Sequence, residues 1–210
     1  MSNNEFDKGW IKVNGFLNKD MADYLYGYVL LSKRRLEVLE SEIDMSKIYQ
    51  TPFDKEHLWG TFNDIKGCYA RGGDLVFETL LLGKLKQLEK ITNSKLSPQY
   101  SFYRLYMNGS ELVRHKDRKS CEISATLCLG YDSHYNWPIW FENSDGKEIS
   151  VELQPGDGVI YKGCDLDHWR EPFKGNNHAQ VFLHYTNLNG PYGHIKFDGK
   201  GALGGWKVKK

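Results

Sequence analysis

The chain has 210 residues and a mass of 24.3 kDa, enough for one sizeable core, and no shift in composition marks a boundary, so we predict a single domain over residues 1–210. Its 28 basic and 27 acidic residues are interspersed and leave a net charge of +1, which argues against nucleic acid or an acidic membrane as a partner. No apolar run approaches the ~20 residues of a membrane span, and the amino terminus lacks a secretory signal pattern, so we predict a soluble cytoplasmic protein.

The first predicted helix follows a short alternating segment, WIKV, at residues 10–13. Asn18 is a suitable N-cap, because its side chain can accept a hydrogen bond from a free N–H of the first turn. Apolar residues then recur at the three- and four-residue spacing of one helix face, at Met21, Leu25 and Tyr28. This pattern predicts a helix that runs to about Glu42.

The second predicted helix begins at Asp74, after a segment from Ile43 to Gly73 that contains Pro52 and several glycines. We interpret that segment as a loop with at most short elements. The apolar spacing after Asp74 predicts a helix that ends near Asn93. Its apolar face carries Phe77, Leu81, Leu85, Leu88 and Ile91.

Strands are predicted from Gln99 onward, where the apolar period changes to two residues and aromatic and β-branched side chains become frequent. Segments rich in glycine, proline and asparagine separate them and are typical of tight turns. The candidate strands cover residues 99–106, 121–129, 137–142, 148–153, 157–161 and 179–186.

Helices that are segregated from a run of antiparallel strands indicate an α+β fold. We expect the mainly helical residues 1–98 to support a jelly-roll core at residues 99–190, with the helices packed on one of its sheets. A tail rich in glycine and lysine follows at residues 199–210.

The strand predicted at residues 121–129 has a polar face made of Ser124, Thr126 and Cys128. Its opposite face is apolar and should pack against the helices, so the polar face should line the barrel, where an organic acid would need hydrogen-bond donors. A sheet with its polar side in water is the alternative. The apolar face consists of Ile123, Ala125, Leu127 and Leu129.

The cysteines lie far apart in the sequence, without a CxxC pair. This distribution disfavours both a zinc knuckle and a disulfide scaffold. We therefore predict reduced, buried thiols at Cys68, Cys121, Cys128 and Cys164.

Two potential metal ligands, His115 and Asp117, lie two residues apart just before the strand with the polar face. Side chains at i and i+2 of an extended segment share a face, so the imidazole and the carboxylate could converge on one ion. His168 follows a later strand that a jelly roll would fold back against this segment. Two histidines and one carboxylate on one face of a metal leave three positions open, as in non-haem iron(II) oxygenases.

Each of these residues also has an ordinary structural interpretation. His115 and Asp117 could form a surface pair at a strand edge, and His168 could be a solvated loop residue. His178 and His184 share one face of the last strand. They could be core or supporting histidines, or one of them could replace His168 as the third ligand.

Four segments, YMNGSELVRHKD, LQPGDGVIYKG, DHWREPFKGNNHAQVFLHY and, more loosely, VNGFLNKDMADYLYGYVL, together resemble the iron- and 2-oxoglutarate-dependent dioxygenases, closest to the prolyl-hydroxylase-like branch. The resemblance implies a double-stranded β-helix in which His115, Asp117 and His168 hold Fe(II). It also implies that 2-oxoglutarate and O2 take the open positions, and that a substrate is hydroxylated while 2-oxoglutarate is converted to succinate and CO2.

In this family the far carboxylate of 2-oxoglutarate usually meets an arginine or lysine roughly nine to twelve residues after the distal histidine, since a cation pairs well with it. Here that window after His168 contains no strong cation. We predict that Arg104 supplies the charge instead and that neighbouring polar residues add hydrogen bonds. These cosubstrate-binding residues are Tyr106, Thr126, His178 and Gln180.

Arg104 could instead be structural and pair with Glu122 across the sheet. The remaining options for this carboxylate are then Arg170, two residues past His168, and His178 and Gln180 on the inward face of the last strand.

Aromatic residues should frame the mouth of the site, although most of them are expected to be packing residues. We predict Trp140, Trp169 and Arg170 as substrate contacts, and a protein or peptide side chain or an amino acid as the substrate. A jelly-roll module that binds a sugar or peptide without redox chemistry is the alternative. A metal-dependent isomerase, or an oxygenase that needs no 2-oxoglutarate, is a third possibility.

Overall fold

The computed structural model describes residues 5–44, 56, 58–62, 64–143 and 145–204. Within these residues it contains the helices α1 (Lys19–Glu42) and α2 (Leu75–Thr92) and ten strands. No helix in the described part of the chain is long and apolar enough to cross a membrane. The strands are β1 (Trp10–Val13), β2 (Cys68–Gly72), β3 (Leu96–Met107), β4 (Leu112–His115), β5 (Ile123–Asp132), β6 (Ile139–Glu142), β7 (Glu148–Val151), β8 (Gly158–Lys162), β9 (His168–Arg170) and β10 (Asn177–Asn187).

Both predicted helices are confirmed, together with the residues that cap them. Asn18 Oδ1 accepts a hydrogen bond from the backbone N of Met21 at 2.8 Å, and Asp74 Oδ1 accepts one from the backbone N of Val76 at 2.9 Å. α2 ends at Asn93, whose φ of 49° and ψ of 39° are left-handed, a conformation that asparagine tolerates better than most residues. Short polar side chains therefore cap the start of both helices and the end of α2.

The larger sheet has six strands in the order β1-β8-β5-β10-β3-β2, and its neighbouring strands are antiparallel. Both helices pack on one face of it, α1 against β5 and α2 against β3 and β10. The predicted apolar face of β5 is buried in the core that this packing forms, as expected. That face consists of Ile123, Ala125, Leu127 and Leu129.

The smaller sheet has four strands in the order β4-β9-β6-β7. It lies against the other face of the larger sheet, where Phe141 of β6 packs with Cys128 of β5 and Tyr161 of β8. Ser124 and Thr126 are also fully buried on this inner face. The two sheets form the predicted jelly roll, with the helices on one sheet and the polar face of β5 inside.

Four short strands, β1, β2, β4 and β9, are absent from the predicted set, although β1 coincides with the alternating segment noted at residues 10–13. β2 lies in the segment that we interpreted as loop, and β4 and β9 have only 4 and 3 residues. One or two alternations also occur by chance, so periodicity alone does not single out β4 and β9. β4 and β9 pair with each other, so the prediction missed the pairing that brings the metal-ligand candidates together.

β3 starts at Leu96, earlier than the predicted start at Gln99, and includes Pro98. Proline cannot donate to a strand ladder and is found in sheets mainly at edges and bulges. Pro98 lies opposite Tyr185, where the register between β3 and β10 shifts. This irregularity accommodates the missing donor.

Candidate metal centre

The three predicted metal ligands meet where β4 ends beside β9. His115 pairs with His168 across the two strands, and the backbone N of Asp117 donates to Gly163 O at 2.8 Å. Asp117 Oδ1 lies 3.7 Å from Nε2 of His115 and 3.7 Å from Nε2 of His168. The structure therefore brings one carboxylate and two imidazoles to a single point.

Backbone carbonyls orient both imidazole rings. Nδ1 of His115 lies 2.8 Å from Val113 O, and Nδ1 of His168 lies 3.0 Å from Leu166 O. A carbonyl can only accept, so in the neutral rings each Nδ1 carries the proton and each Nε2 presents its lone pair beside Asp117. Metal-binding histidines are typically oriented in this way.

A hydrogen-bond relay from the larger sheet holds the Asp117 carboxylate. Ser124 Oγ donates to Asp117 Oδ2 at 2.9 Å and accepts from Nδ1 of His184 at 2.9 Å. Burial alone would raise the pKa of Asp117, but the nearby imidazoles of His115, His184 and His168 and the hydrogen bond from Ser124 outweigh it and lower that pKa to about 2. Asp117 is therefore ionised at neutral pH.

The two candidate imidazole ligands differ in their affinity for a proton. The neighbouring Asp117 carboxylate raises the pKa of His115, whereas burial lowers the pKa of His168. A metal ion binds the neutral imidazole and competes with the proton. A proton therefore competes with the metal ion more strongly at His115 than at His168.

This donor set fits a divalent transition metal. Imidazole nitrogen and carboxylate oxygen bind such ions at about 2.0 to 2.2 Å, so neighbouring ligands of an octahedral ion lie roughly 3 Å apart. The 3.7 Å separations seen here are only slightly wider. The three residues also line a cavity of about 260 Å³, so the remaining positions around an ion would face open space; its other walls include Tyr100, Phe102, Arg104, Tyr161, Phe182 and His184.

Gly163 packs directly against the Asp117 carboxylate. A Cβ at this position would overlap Asp117 Oδ2 and the backbone O of Cys121. We expect Gly163→Ala to displace the carboxylate and to weaken Mn(II) binding roughly 10- to 100-fold, as disturbance of the groups that support a metal ligand usually does. Isothermal titration calorimetry measures this. Gly27→Ala, in α1 with no atom near the added Cβ, is the control, and equal affinities in the two variants would contradict the expectation.

Arg104 reaches the cavity from β3, but it already has a carboxylate partner there. Its Nε donates to Asp64 Oδ2, and its Nη1 lies 3.5 Å from Tyr106 Oη. The alternative pairing of Arg104 with Glu122 does not form, because Glu122 instead accepts a hydrogen bond from the backbone N of Asn187. Sequence reasoning missed Asp64, which lies in the segment interpreted as loop.

The other predicted cosubstrate-binding residues form one network inside the barrel. Thr126 Oγ1 donates to Gln180 Oε1 at 3.0 Å, and Gln180 Nε2 lies 3.2 Å from Nδ1 of His178. Nε2 of His178 lies 4.0 Å from Cys128 Sγ. These polar groups therefore already have partners in one another.

The predicted substrate contacts lie on opposite faces of the smaller sheet. Trp140 and Trp169 are cross-strand neighbours that stack with a centroid separation of 6.2 Å. Side chains alternate along a strand, and the adjacent Phe141 and His168 point inward, so both tryptophans lie on the outer face. The structure does not bring them to the metal site. Arg170 is two residues from His168 and shares its face of β9, so its side chain points into the barrel.

Cys121 lies close to the candidate metal ligands, and sequence reasoning did not foresee it. Ligand atoms of Asp117, Cys121 and His184 lie within 4.8 Å of one another, and Cys121 Sγ is 3.1 Å from Tyr100 Oη. Burial raises the pKa of Cys121 to about 12, so it is a neutral thiol. All four cysteines are free as predicted, although Cys164 is only half-buried.

Two buried histidines of β10 make stability depend on pH. Burial lowers the pKa of His178 and lowers that of His184 to about 4. An unfolded histidine titrates near 6.5, so between about pH 6.5 and pH 4 the unfolded chain binds more protons and stability falls as pH falls. We expect the His184 shift alone to make the free energy of urea unfolding of metal-free protein about 2 kcal/mol lower at pH 5 than at pH 7.5, and His178 to add to the difference. His184→Gln should show a smaller difference, and an unchanged one would contradict this assignment.

No protein-family model matches the sequence, and no curated protein matches it. Solved structures do match. A prolyl-4-hydroxylase from Pseudomonas putida has a TM-score of 0.59 and 19% identity over 86% of this chain and 93% of that chain. HygX from Streptomyces hygroscopicus, with nickel, 2-oxoglutarate and hygromycin B bound, has a TM-score of 0.62 and 12% identity over 88% and 85% of the two chains.

A prolyl hydroxylase from Trichoplax adhaerens, in complex with a peptide fragment of the hypoxia inducible factor oxygen degradation domain, has a TM-score of 0.58 and 15% identity over 88% of this chain and 86% of that chain. Identities this low show a shared fold. The chain has the double-stranded β-helix fold of the prolyl hydroxylases and other 2OG-Fe(II) oxygenases.

Proposed function

We propose that the chain is an Fe(II)- and 2-oxoglutarate-dependent dioxygenase that hydroxylates a protein or peptide side chain or an amino acid. The observation that carries this proposal is the convergence of His115, Asp117 and His168 on one wall of the cavity. Three protein ligands on one face of an octahedral ion leave its other three positions open. A bidentate 2-oxo acid would take two of them and O2 the third.

The residues of the chain would hold and orient the ion. His115 and His168 present Nε2, while Asp117 contributes one negative charge and is itself fixed by Ser124. Bound Fe(II) would supply the redox chemistry by which O2 oxidises both partners, so that 2-oxoglutarate yields succinate and CO2 and a substrate C–H becomes C–OH.

The cosubstrate would lie along the inner face of β3, β5 and β10, where Arg104, Tyr106 and Thr126 line the barrel with His178 and Gln180. Burial raises the pKa of Tyr106, so its hydroxyl stays protonated and can donate to a carboxylate. A few polar groups in a largely apolar wall orient a small ligand in this way.

The shape of the cavity supports a small reacting group. Its volume of about 260 Å³ is below the roughly 300 to 1,000 Å³ of typical ligand pockets, so we propose that a side chain or a small molecule enters it. The aromatic rings of Tyr100, Phe102 and Phe182 line the cavity. Among the structural neighbours, one binds a peptide and another binds hygromycin B. The free thiols suit a protein of the reducing cytoplasm.

The test is turnover of the cosubstrate. Protein loaded anaerobically with Fe(II) and given ascorbate, 2-oxoglutarate and air should release equimolar succinate and CO2, faster when a cell extract provides the substrate. Asp117→Ala should release neither. No succinate with any extract, together with no binding of 2-oxoglutarate by metal-loaded protein, would rule the proposal out.

The substrate itself can be found with heavy oxygen. Hydroxylation by this chemistry places one atom of O2 in the product, so the molecule in the extract that gains the label only with active enzyme is the substrate. A label that appears equally with Asp117→Ala would come from another source.

A further inference from the structure

Arg170 is a buried guanidinium that has no counter-ion within the described part of the chain. Its side chain is 1% exposed, and its Nη1 donates to Trp137 O at 2.7 Å. Its Nε and Nη2 have no hydrogen-bond partner among the residues that the structure describes. A guanidinium has five N–H donors, and a buried charge without a partner is costly. A ligand that brings hydrogen-bond acceptors to Nε and Nη2 would satisfy these donors.

The groups around Arg170 provide no negative charge. Besides the His178 imidazole, which carries no negative charge, its titratable neighbours are Tyr106, Cys128 and Tyr161. Burial raises the pKa of each of them, so all three are neutral at neutral pH. An anionic ligand would therefore complement the positive charge of Arg170.

The position of Arg170 fits an anion that is tied to the metal site. Arg170 lies two residues beyond His168 on the same face of β9, about 6.5 Å farther along the strand. Its cross-strand neighbour Leu112 lines the same cavity as His168. The far carboxylate of a chelated five-carbon 2-oxo diacid lies about 7 Å from the ion, because three C–C bonds span about 4 Å and the link from the ion to the keto carbon adds about 3 Å.

We propose that Arg170 binds the far carboxylate of the 2-oxo diacid whose keto acid end is held by the metal. This inference rests on the proposed function and changes one part of it, because Arg104 is already paired with Asp64. His178 occupies the position where the family resemblance places a cation. The charge thus comes from β9, the strand that also carries His168.

The first measurement is the affinity of Mn(II)-loaded protein for 2-oxoglutarate, by calorimetry without oxygen. A forked, charge-assisted pair in a buried site should be lost in Arg170→Met, and we expect binding to weaken roughly thirty- to a thousandfold. Mn(II) affinity in the absence of 2-oxoglutarate should stay the same. Equal affinity for 2-oxoglutarate in folded Arg170→Met and wild-type protein would overturn the inference.

The second measurement changes the ligand instead of the protein. 2-Oxopentanoate carries a methyl group in place of the far carboxylate, so wild-type protein should bind it more weakly than 2-oxoglutarate by a factor similar to that of Arg170→Met. Arg170→Met should bind the two ligands about equally, since neither can use the missing guanidinium. If the variant still prefers 2-oxoglutarate as strongly as the wild type does, another group binds the carboxylate.

Two further arginine variants complete the test. Arg114→Met removes an arginine that pairs with Glu142 and Glu148, and it should leave the affinity for 2-oxoglutarate unchanged. A collapse of that affinity in Arg104→Met, but not in Arg170→Met, would return the role to Arg104. If Arg170→Met does not fold, Arg170→Lys replaces it in the test. A lysine ammonium cannot form the two parallel hydrogen bonds that a guanidinium makes with a carboxylate, so this variant should bind 2-oxoglutarate more weakly than wild type. Unchanged binding would overturn the inference. Absence of any binding by wild-type protein would instead contradict the proposed function.

Discussion

His168→Ala is expected to abolish stoichiometric binding of Fe(II) and, with it, all formation of succinate. His168 is 2% exposed, and its Nε2 faces Asp117. Apparent metal-binding energies of about 10 to 16 kcal/mol for sites with four ligands correspond to roughly 3 to 4 kcal/mol per ligand. Removal of one ligand from three should therefore weaken binding by roughly two to three orders of magnitude.

The measurement is competition with a chromophoric chelator under anaerobic conditions, paired with a succinate assay on the same samples. His134→Ala is a matched control, because His134 is an exposed histidine in the loop before β6. It should behave as wild type in both assays. If His168→Ala retains its metal while His178→Ala or His184→Ala loses it, the third ligand lies on β10.

Leu127→Asp should unfold the protein or leave it insoluble. Leu127 is fully buried on the helix-facing side of β5, and its Cδ2 lies so close to Gly158 that even a Cβ on that glycine would overlap it. A carboxylate at this position would be desolvated without a partner, at a cost of about 5 kcal/mol or more. That cost is comparable to the whole stability of a typical domain, about 5 to 15 kcal/mol.

Urea unfolding followed by circular dichroism checks this expectation. Leu127→Met keeps the volume and the apolar character, so it should cost less than about 1.5 kcal/mol. A soluble Leu127→Asp variant with the wild-type unfolding midpoint would show that this face of β5 does not pack against the helices.

The parts of the site that follow from local rules were predictable from the sequence. The two-residue spacing of His115 and Asp117 places them on one side of an extended segment. The hydrogen-bonding side chains of Asn18 and Asp74 define where the two helices begin. These features depend on residues that are close in the sequence, so no knowledge of the tertiary structure is needed.

The remaining parts depend on how β9 pairs with its neighbours. A strand of 3 residues has no detectable period, so the sequence does not tell which of Trp169 and Arg170 points inward. A shift of the strand register by one residue would exchange the inward-facing and outward-facing side chains of β9. The structure places the Trp169 ring on the outer face of the smaller sheet and the Arg170 side chain on the inner face.

The assignment of charges depended on contacts between distant segments. The sequence shows two candidate arginines, Arg104 and Arg170, but not that Asp64 lies beside the first. It also does not show that the second has no acidic neighbour among the described residues. The presence or absence of a counter-ion is a property of the closed barrel, which only the three-dimensional arrangement reveals.

The position of Trp137 has a practical consequence for spectroscopy. Its indole is 3% exposed, with the Arg170 guanidinium 4.8 Å from the ring centroid and the Tyr106 ring 4.9 Å away. The emission of an indole responds to the electric field at the ring, and the arrival of an anion beside Arg170 would change that field strongly in a buried site. Trp140 and Trp169, on the outer surface, would contribute a constant background. Intrinsic fluorescence can therefore follow ligand entry in real time without a label, and Trp137→Phe should remove the signal.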